Sequence, residues 1–198
     1  MKRISLLLAM LFFISFGAIH DSQAQSLKGK GIVMIIASSK FRDEEFKIPY
    51  DLFKAEGAKV VIASSSLRES VGMLGLKVRP EKLVNQIDMD SFDALILVGG
   101  IGATEYWNNK TVHRLLKEAF NKGKVIGAIC ISPVTLANAG VLKGKRATVW
   151  PTEASRLRAK GAIYTGKGVE RDGDIITANG PQSASAFASE VIKALCHK

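Results

Sequence analysis

Short apolar runs alternate with longer amphipathic stretches along most of the chain. Residues 31–37, 59–63, 92–98 and 125–129 are dominated by Ile, Val, Leu, Met and Ala. Runs of this length, apolar at nearly every position, predict strands covered on both faces. The stretches between them have a different period. Residues 43–56 place Phe46, Tyr50, Leu52 and Phe53 at helical spacing, and Gly57 stops them. Residues 111–121, 153–160 and 182–195 also predict helices. A further helix opens at Pro133 and ends at Gly140, as proline at a first turn and glycine past a last turn imply. Residues 71–73 and 76–78, inside a Ser- and Gly-rich stretch, predict a small hairpin. Arg171-Asp172-Gly173-Asp174 marks the turn of another over residues 169–178. One more strand is predicted over 146–150. The alternation implies an α/β fold, a three-layer sandwich with a mostly parallel sheet between helices. Ligands in such folds bind beyond the carboxyl ends of the strands. The segments converging there are residues 38–45, residues 99–105 and the turn after residue 129.

The amino-terminal end breaks the pattern. Lys2 and Arg3 precede an apolar stretch over residues 4–19, and Ser22-Gln23-Ala24 offers small residues for cleavage before Gln25. This predicts a signal peptide over 1–24 and an exported, periplasmic or secreted, single domain over 25–198. The stretch is too short and too weakly flanked to predict a stable membrane anchor after cleavage. The full chain carries a net charge of +10. Its lysines and arginines are spread over helix faces and turns, with no basic run interleaved with aromatics, so no nucleic-acid partner is expected. There are two cysteines, Cys130 and Cys196. They make no disulfide framework, and pairing between them is not expected.

Cys130 is the main candidate for chemistry. It falls between the strand at 125–129 and the helix opened by Pro133, in a tight strand-to-helix turn that would hold its sulfur above the sheet edge. A helix N-terminus there favours a thiolate. The sequence also allows a plain buried thiol. A nucleophile needs a proton-handling partner and donors for a developing oxyanion. Gly99, Gly100 and the backbone N–H of Ile131 are the candidate donors. Asp43, Glu44 and Glu45 are the candidate acids, although three acids at a helix start also suit the helix dipole. Histidine is scarce: His20 lies in the leader, His113 mid-helix and His197 in the tail. A Cys-His dyad is therefore not supported. No zinc-ligand spacing and no phosphate-binding glycine fingerprint occurs, and no cofactor is expected.

Ala128-Ile129-Cys130 followed by Pro133, with Gly99-Gly100 closing the preceding core strand, resembles the ThiJ/PfpI family. Glu45-Phe46-Lys47-Ile48-Pro49 resembles its Glu-x-x-x-Pro helix start. Val169-Glu170-Arg171-Asp172-Gly173 and Thr177-Ala178-Asn179-Gly180-Pro181 resemble its late hairpin and the segment before its last helix. The resemblance spans residues 31–195. It implies a flavodoxin-like fold and a homodimer or larger homo-oligomer. It implies Cys130 as the reactive cysteine, Glu45 as its carboxyl partner, and an oxyanion pocket from Gly99, Gly100 and Ile131. Two departures limit it. PfpI-type proteases carry histidine after the cysteine, where this chain has Ile131. The branch of the Parkinson-disease protein has histidine before proline on a later strand, where this chain has Trp150-Pro151. Trp150 would instead wall the pocket. The expected activity is thiolate addition to small carbonyl compounds or their adducts, of glyoxalase or deglycase type. An oxidation-sensing stress protein or chaperone without turnover and a peptidase are the alternatives.

Overall fold

The computed structural model describes residues 27–198; the predicted signal over 1–24 lies outside the described residues. In chain order the elements are β1 (Gly31–Ile35), α1 (Asp43–Ala55), β2 (Lys59–Ser64), β3 (Ser70–Val71), β4 (Lys77–Val78), β5 (Lys82–Leu83), β6 (Ala94–Leu97) and α2 (Lys110–Asn121). They continue with β7 (Val125–Ile129), α3 (Pro133–Ala139), β8 (Arg146–Ala147), α4 (Ala154–Ala159), β9 (Ile163–Tyr164), β10 (Val169–Asp172), β11 (Ile175–Ala178) and α5 (Ala184–Cys196).

Seven strands form the main sheet in the order β10-β11-β7-β6-β1-β2-β5. All neighbours are parallel except β10 and β11, the hairpin turned by Asp172-Gly173-Asp174. Side chains alternate across the strands. Ile32 and Met34 of β1 join Ile96, Phe46, Phe53 and Phe187 on one face, under α1 and α5. Val33 and Ile35 join Leu95, Leu97, Leu115 and Leu136 on the other, under α2, α3 and α4. Both faces are thus dry, and the apolar runs seen in the sequence are the buried strands.

β1 pairs with β2 on one side and β6 on the other. The chain therefore turns in opposite directions after β1 and after β6, and a crevice opens at the carboxyl ends between them. The β3-β4 hairpin stands beside that crevice, where an isolated bridge joins Ser39 to Val71.

One predicted strand is shorter and sits elsewhere. Only Arg146–Ala147 is extended-paired, and it pairs with β9 in a separate two-stranded sheet. Trp150 lies beyond it, at the entry to a 3-10 turn over Pro151–Glu153. Pro151 has no N–H for a ladder and favours a helical first turn, so the apolar run loses its strand before Trp150. Among the described residues, no helix is long and apolar enough to cross a membrane.

Candidate functional site

β7 ends at Ile129, and α3 starts at Pro133 after Ser132. Cys130 makes the turn between them with φ +63°, a left-handed conformation rare for a residue with a side chain. Several contacts hold it there. Its N–H donates to the Ala178 carbonyl at 2.9 Å, and its own carbonyl accepts from the Trp150 N–H at 2.8 Å. Ser132 Oγ donates to the Val98 carbonyl at 2.8 Å. The strain of the turn is thus spread over neighbouring strands, which is how such residues persist at sites of chemistry.

The three acids at the start of α1 separate by the direction in which each side chain leaves the helix. Asp43 accepts from the N–H groups of Leu74 (2.8 Å) and Leu76 (2.7 Å), and so fastens the β3-β4 hairpin. Glu44 closes a two-pronged contact with Arg42, at 2.8 and 3.0 Å. Glu45 points inward and is fully buried. It is the acid beside Cys130. The Gly99 N–H and the Cys130 side chain face its carboxyl, yet neither oxygen meets a full hydrogen bond.

Gly99 is what lets the two groups approach. A Cβ at residue 99 would stand 2.4 Å from Glu45 Oε2, 2.5 Å from Cys130 Cβ and 2.7 Å from the Ile129 carbonyl. Any side chain there would separate acid and thiol. The Gly99 N–H is turned toward Glu45, whereas the N–H groups of Gly100 and Ile131 face Cys130. Gly100 takes φ +95°, a backbone conformation that glycine adopts without the strain of a side chain. Of the three expected oxyanion donors, two lie beside the nucleophile and the third beside its acid.

Burial dominates the protonation of the pair. It pushes Glu45 up from an ordinary 4.5 to about 8, against the pull of Cys130, Arg42 and the Gly99 N–H. It also pushes the Cys130 thiol up to about 12, with the Glu45 charge adding to the effect and the Gly100 and Ile131 N–H groups opposing it. The expected lowering of the thiol by a helix N-terminus is outweighed, since α3 is only seven residues long and the sulfur is withdrawn from water. At neutral pH the resting pair holds both its protons.

Above Cys130 lies a cleft of about 380 Å³. Of the residues expected around it from the three loops, Glu45, Gly100, Cys130 and Ile131 line it and Gly99 does not; Trp150 lines it too. Arg42, Ile101 and Thr104 also line it and come from the expected loops, whereas Met73, Trp107, Thr152, Glu153, Pro181 and Gln182 were not anticipated. Trp107 carried a faint signal, as an aromatic closing the loop begun by Gly99-Gly100. Met73 carried none, because the contacts that bring the hairpin to the cleft, from Asp43 and from the Met73 N–H to the Phe41 carbonyl, join segments far apart in the chain.

Among the described residues, no histidine lines this cleft. His113 Nε2 lies 2.9 Å from the Trp107 carbonyl, and His197 follows the end of α5. Both cysteines are free thiols. Among the described residues, no group of three or more His, Cys, Asp or Glu is placed to hold a metal ion.

Residues 30–194 match the DJ-1/PfpI family. The chain is 44% identical over 200 residues to an uncharacterized protein of Methanocaldococcus jannaschii, with 98% of each chain covered. It is 31% identical over 163 residues to a protein named a deglycase from Pyrococcus abyssi, covering 82% of this chain and 98% of that one. The fold is similar to that of a ThiJ/PfpI domain protein from Brachyspira murdochii, with a TM-score of 0.84, 29% identity, and 86% and 99% of the two chains covered. With a matched family region, a parallel sheet and a strained cysteine turn beside a buried glutamate, this chain belongs to the DJ-1/PfpI family.

Proposed function

We propose that the protein is a cysteine-dependent, glyoxalase- or deglycase-like enzyme acting on small reactive carbonyl compounds or their adducts. The observation that carries this is the pairing of Cys130, strained at φ +63°, with a buried Glu45 raised to about 8. A proton carrier works best with a pKa near the working pH. The Cys130 sulfur attacks an aldehyde carbon, forming a C–S bond as the carbonyl π pair moves onto oxygen. Glu45 gives its proton to that oxygen and receives the thiol proton in return. The product is a neutral hemithioacetal on Cys130. The N–H groups of Gly100 and Ile131, beside the sulfur, are the donors within reach of the developing oxyanion. For a 1,2-dicarbonyl, Glu45 then releases the thiol proton to water, and its carboxylate carries the proton of the sulfur-bearing carbon to the neighbouring carbon while the hydroxyl proton passes to the neighbouring oxygen, which gives a thioester. Water cleaves the resulting thioester, releasing a 2-hydroxy acid and the thiol.

The relatives named as deglycases support the reading. So does the absence of an imidazole from the cleft lining, which weighs against peptide hydrolysis. Burial of the thiol weighs against a dedicated oxidation sensor, which needs an exposed, low-pKa sulfur. The same proposal places the protein outside the cytoplasm, on the basic and apolar residues 1–24. An alignment over 98% of the chain carries most of that segment into the archaeal relative.

The test is incubation with methylglyoxal, following dicarbonyl loss and lactate by NMR. Turnover that falls by about 10³-fold or more in Cys130→Ala is expected. Equal rates in wild type and Cys130→Ala would overturn the proposal.

A further inference from the structure

The lining of the cleft is apolar in shape and neutral in charge. Trp150, Ile101 and Met73 remain 37%, 60% and 44% exposed, so they present bare apolar surface to whatever enters. Trp150 is also fixed in place. Its ring atoms Cζ3 and Cε3 lie 2.9 and 3.0 Å from where a Cβ on Gly180 would stand, so the indole packs directly on backbone. Its backbone N–H donates to the Cys130 carbonyl at 2.8 Å, which ties the main chain that carries the ring to the nucleophile. Trp107 is pinned on the other part of the same turn, with Nε1 donating to the Ile131 carbonyl at 3.3 Å. The Arg156 guanidinium lies 4.8 Å from its ring centroid.

The charges of the lining are all engaged. Arg42, the one cation of the lining among the described residues, has its fork closed on Glu44. Glu153 accepts from Arg156 Nε at 2.6 Å. Glu45 holds a proton at neutral pH. No lining cation is left to meet a carboxylate or phosphate, and a desolvated anion without a partner binds poorly. The volume points the same way. About 380 Å³ lies within the range of sites that enclose ligands much larger than a three-carbon dicarbonyl. A small substrate would leave the indole face of Trp150 in water or against a void, whereas an aromatic or extended chain would cover it.

We propose that this site selects uncharged α-oxoaldehydes with an aromatic or extended apolar substituent over small or anionic ones, and that Trp150 is the specificity-determining residue. Phenylglyoxal is the model substrate; methylglyoxal and glyoxylate are the disfavoured ones. The proposal rests on the thiol-addition reading above, with the carbonyl carbon over Cys130 and the substituent against the indole.

Two measurements separate the proposal from that reading. The first is kcat/KM for phenylglyoxal, methylglyoxal and glyoxylate. The second is alkylation of Cys130 by 2-chloroacetophenone and by chloroacetone, each divided by the rate with N-acetylcysteine. In alkylation the sulfur displaces chloride, an S–C bond forms, chloride leaves with the bonding pair and the thiol proton passes by way of Glu45 to solvent. No turnover is required. The aromatic member of each pair should lead by about tenfold or more, with glyoxylate poorest. Trp150→Ala should bring both ratios to within about twofold of one, mainly through KM. Ile101→Ala, at an exposed position with little risk to folding, should narrow them part of the way, and it decides the matter if Trp150→Ala does not fold. Turnover of phenylglyoxal and methylglyoxal at equal kcat/KM would overturn the selectivity and leave thiol addition standing. Aromatic-selective alkylation without any turnover would sustain the selectivity and overturn the enzyme reading.

Discussion

Glu45 and Glu170 are both buried glutamates in the same sheet architecture, and their surroundings send them in opposite directions. Glu170 sits on the edge strand β10, where Arg146 Nε approaches at 3.2 Å and Lys167 Nζ at 3.0 Å. Burial alone would raise its pKa, but its contacts with Lys167, Arg146 and Thr165 together overturn that effect and lower it, with Oε2 meeting Lys167 as an ion pair rather than a full hydrogen bond. Glu45 sits at the crevice beneath the carboxyl ends of β6 and β7, against Gly99 and Cys130. It has no hydrogen-bonded partner, and burial wins. A paired buried acid ties strands together. An unpaired one, costly to the fold, stores a proton beside a nucleophile. The chain keeps that cost where the chemistry is proposed.

Replacing each acid by its amide tests the contrast most sharply. Glu45→Gln should lower turnover of glyoxals and alkylation of Cys130 by about 100-fold, since it removes the proton carrier. Glu170→Gln should leave both within about twofold. In the wild type, alkylation should climb through pH 8 as the Cys130–Glu45 pair loses its first proton. Glu45→Gln should flatten that rise. An unchanged profile would remove Glu45 from the mechanism.

A smaller effect appears in stability. Glu45 has a folded pKa of about 8, well above its ordinary 4.5. The folded state therefore holds a proton that the unfolded state releases between those values. Its contribution is full below pH 4.5 and is lost as pH rises toward 8, at up to about 1.4 kcal/mol per pH unit. Urea unfolding at several pH values should show this decline in the wild type and its absence in Glu45→Gln. A wild-type slope that the variant shares would place the cause elsewhere.

Glu170 should give the smallest signal, with the opposite sign. Its lowered pKa contributes stability above the ordinary carboxylate range, and that stability is lost as pH falls through it. Both cationic partners are more than half exposed. Glu170→Gln should therefore cost about 1 kcal/mol at neutral pH, less in high salt, with the difference fading in acid. A larger cost that ignores salt would show that packing, not charge, governs this position.

Local pattern and tertiary contact divide the account of this molecule between them. The strand Val125–Ile129 and the helix Pro133–Ala139 were legible because an apolar run, a first-turn proline and a terminal glycine are local signals. The two hairpins were legible from their turns, and Cys130 from its place between a strand and a helix. The motif order across residues 31–195 also pointed to the family. The sequence left three acids open on their own chemistry. Only packing of α1 against the sheet sends Asp43 to the hairpin and Glu45 to the sulfur, while Glu44 closes on Arg42 two residues away. Nor did local pattern show why residue 99 is glycine, because the groups a side chain would strike come from α1 and from the end of β7. The meeting of Trp150 with Met73, Ile101 and Trp107 at one cleft was likewise a tertiary decision. Periodicity and turn chemistry act over a few residues, so the sequence by itself determined the elements and the nucleophile's turn. Burial and charge act between segments far apart in the chain, so only the folded structure decided which acid holds the proton and what the cleft is lined with.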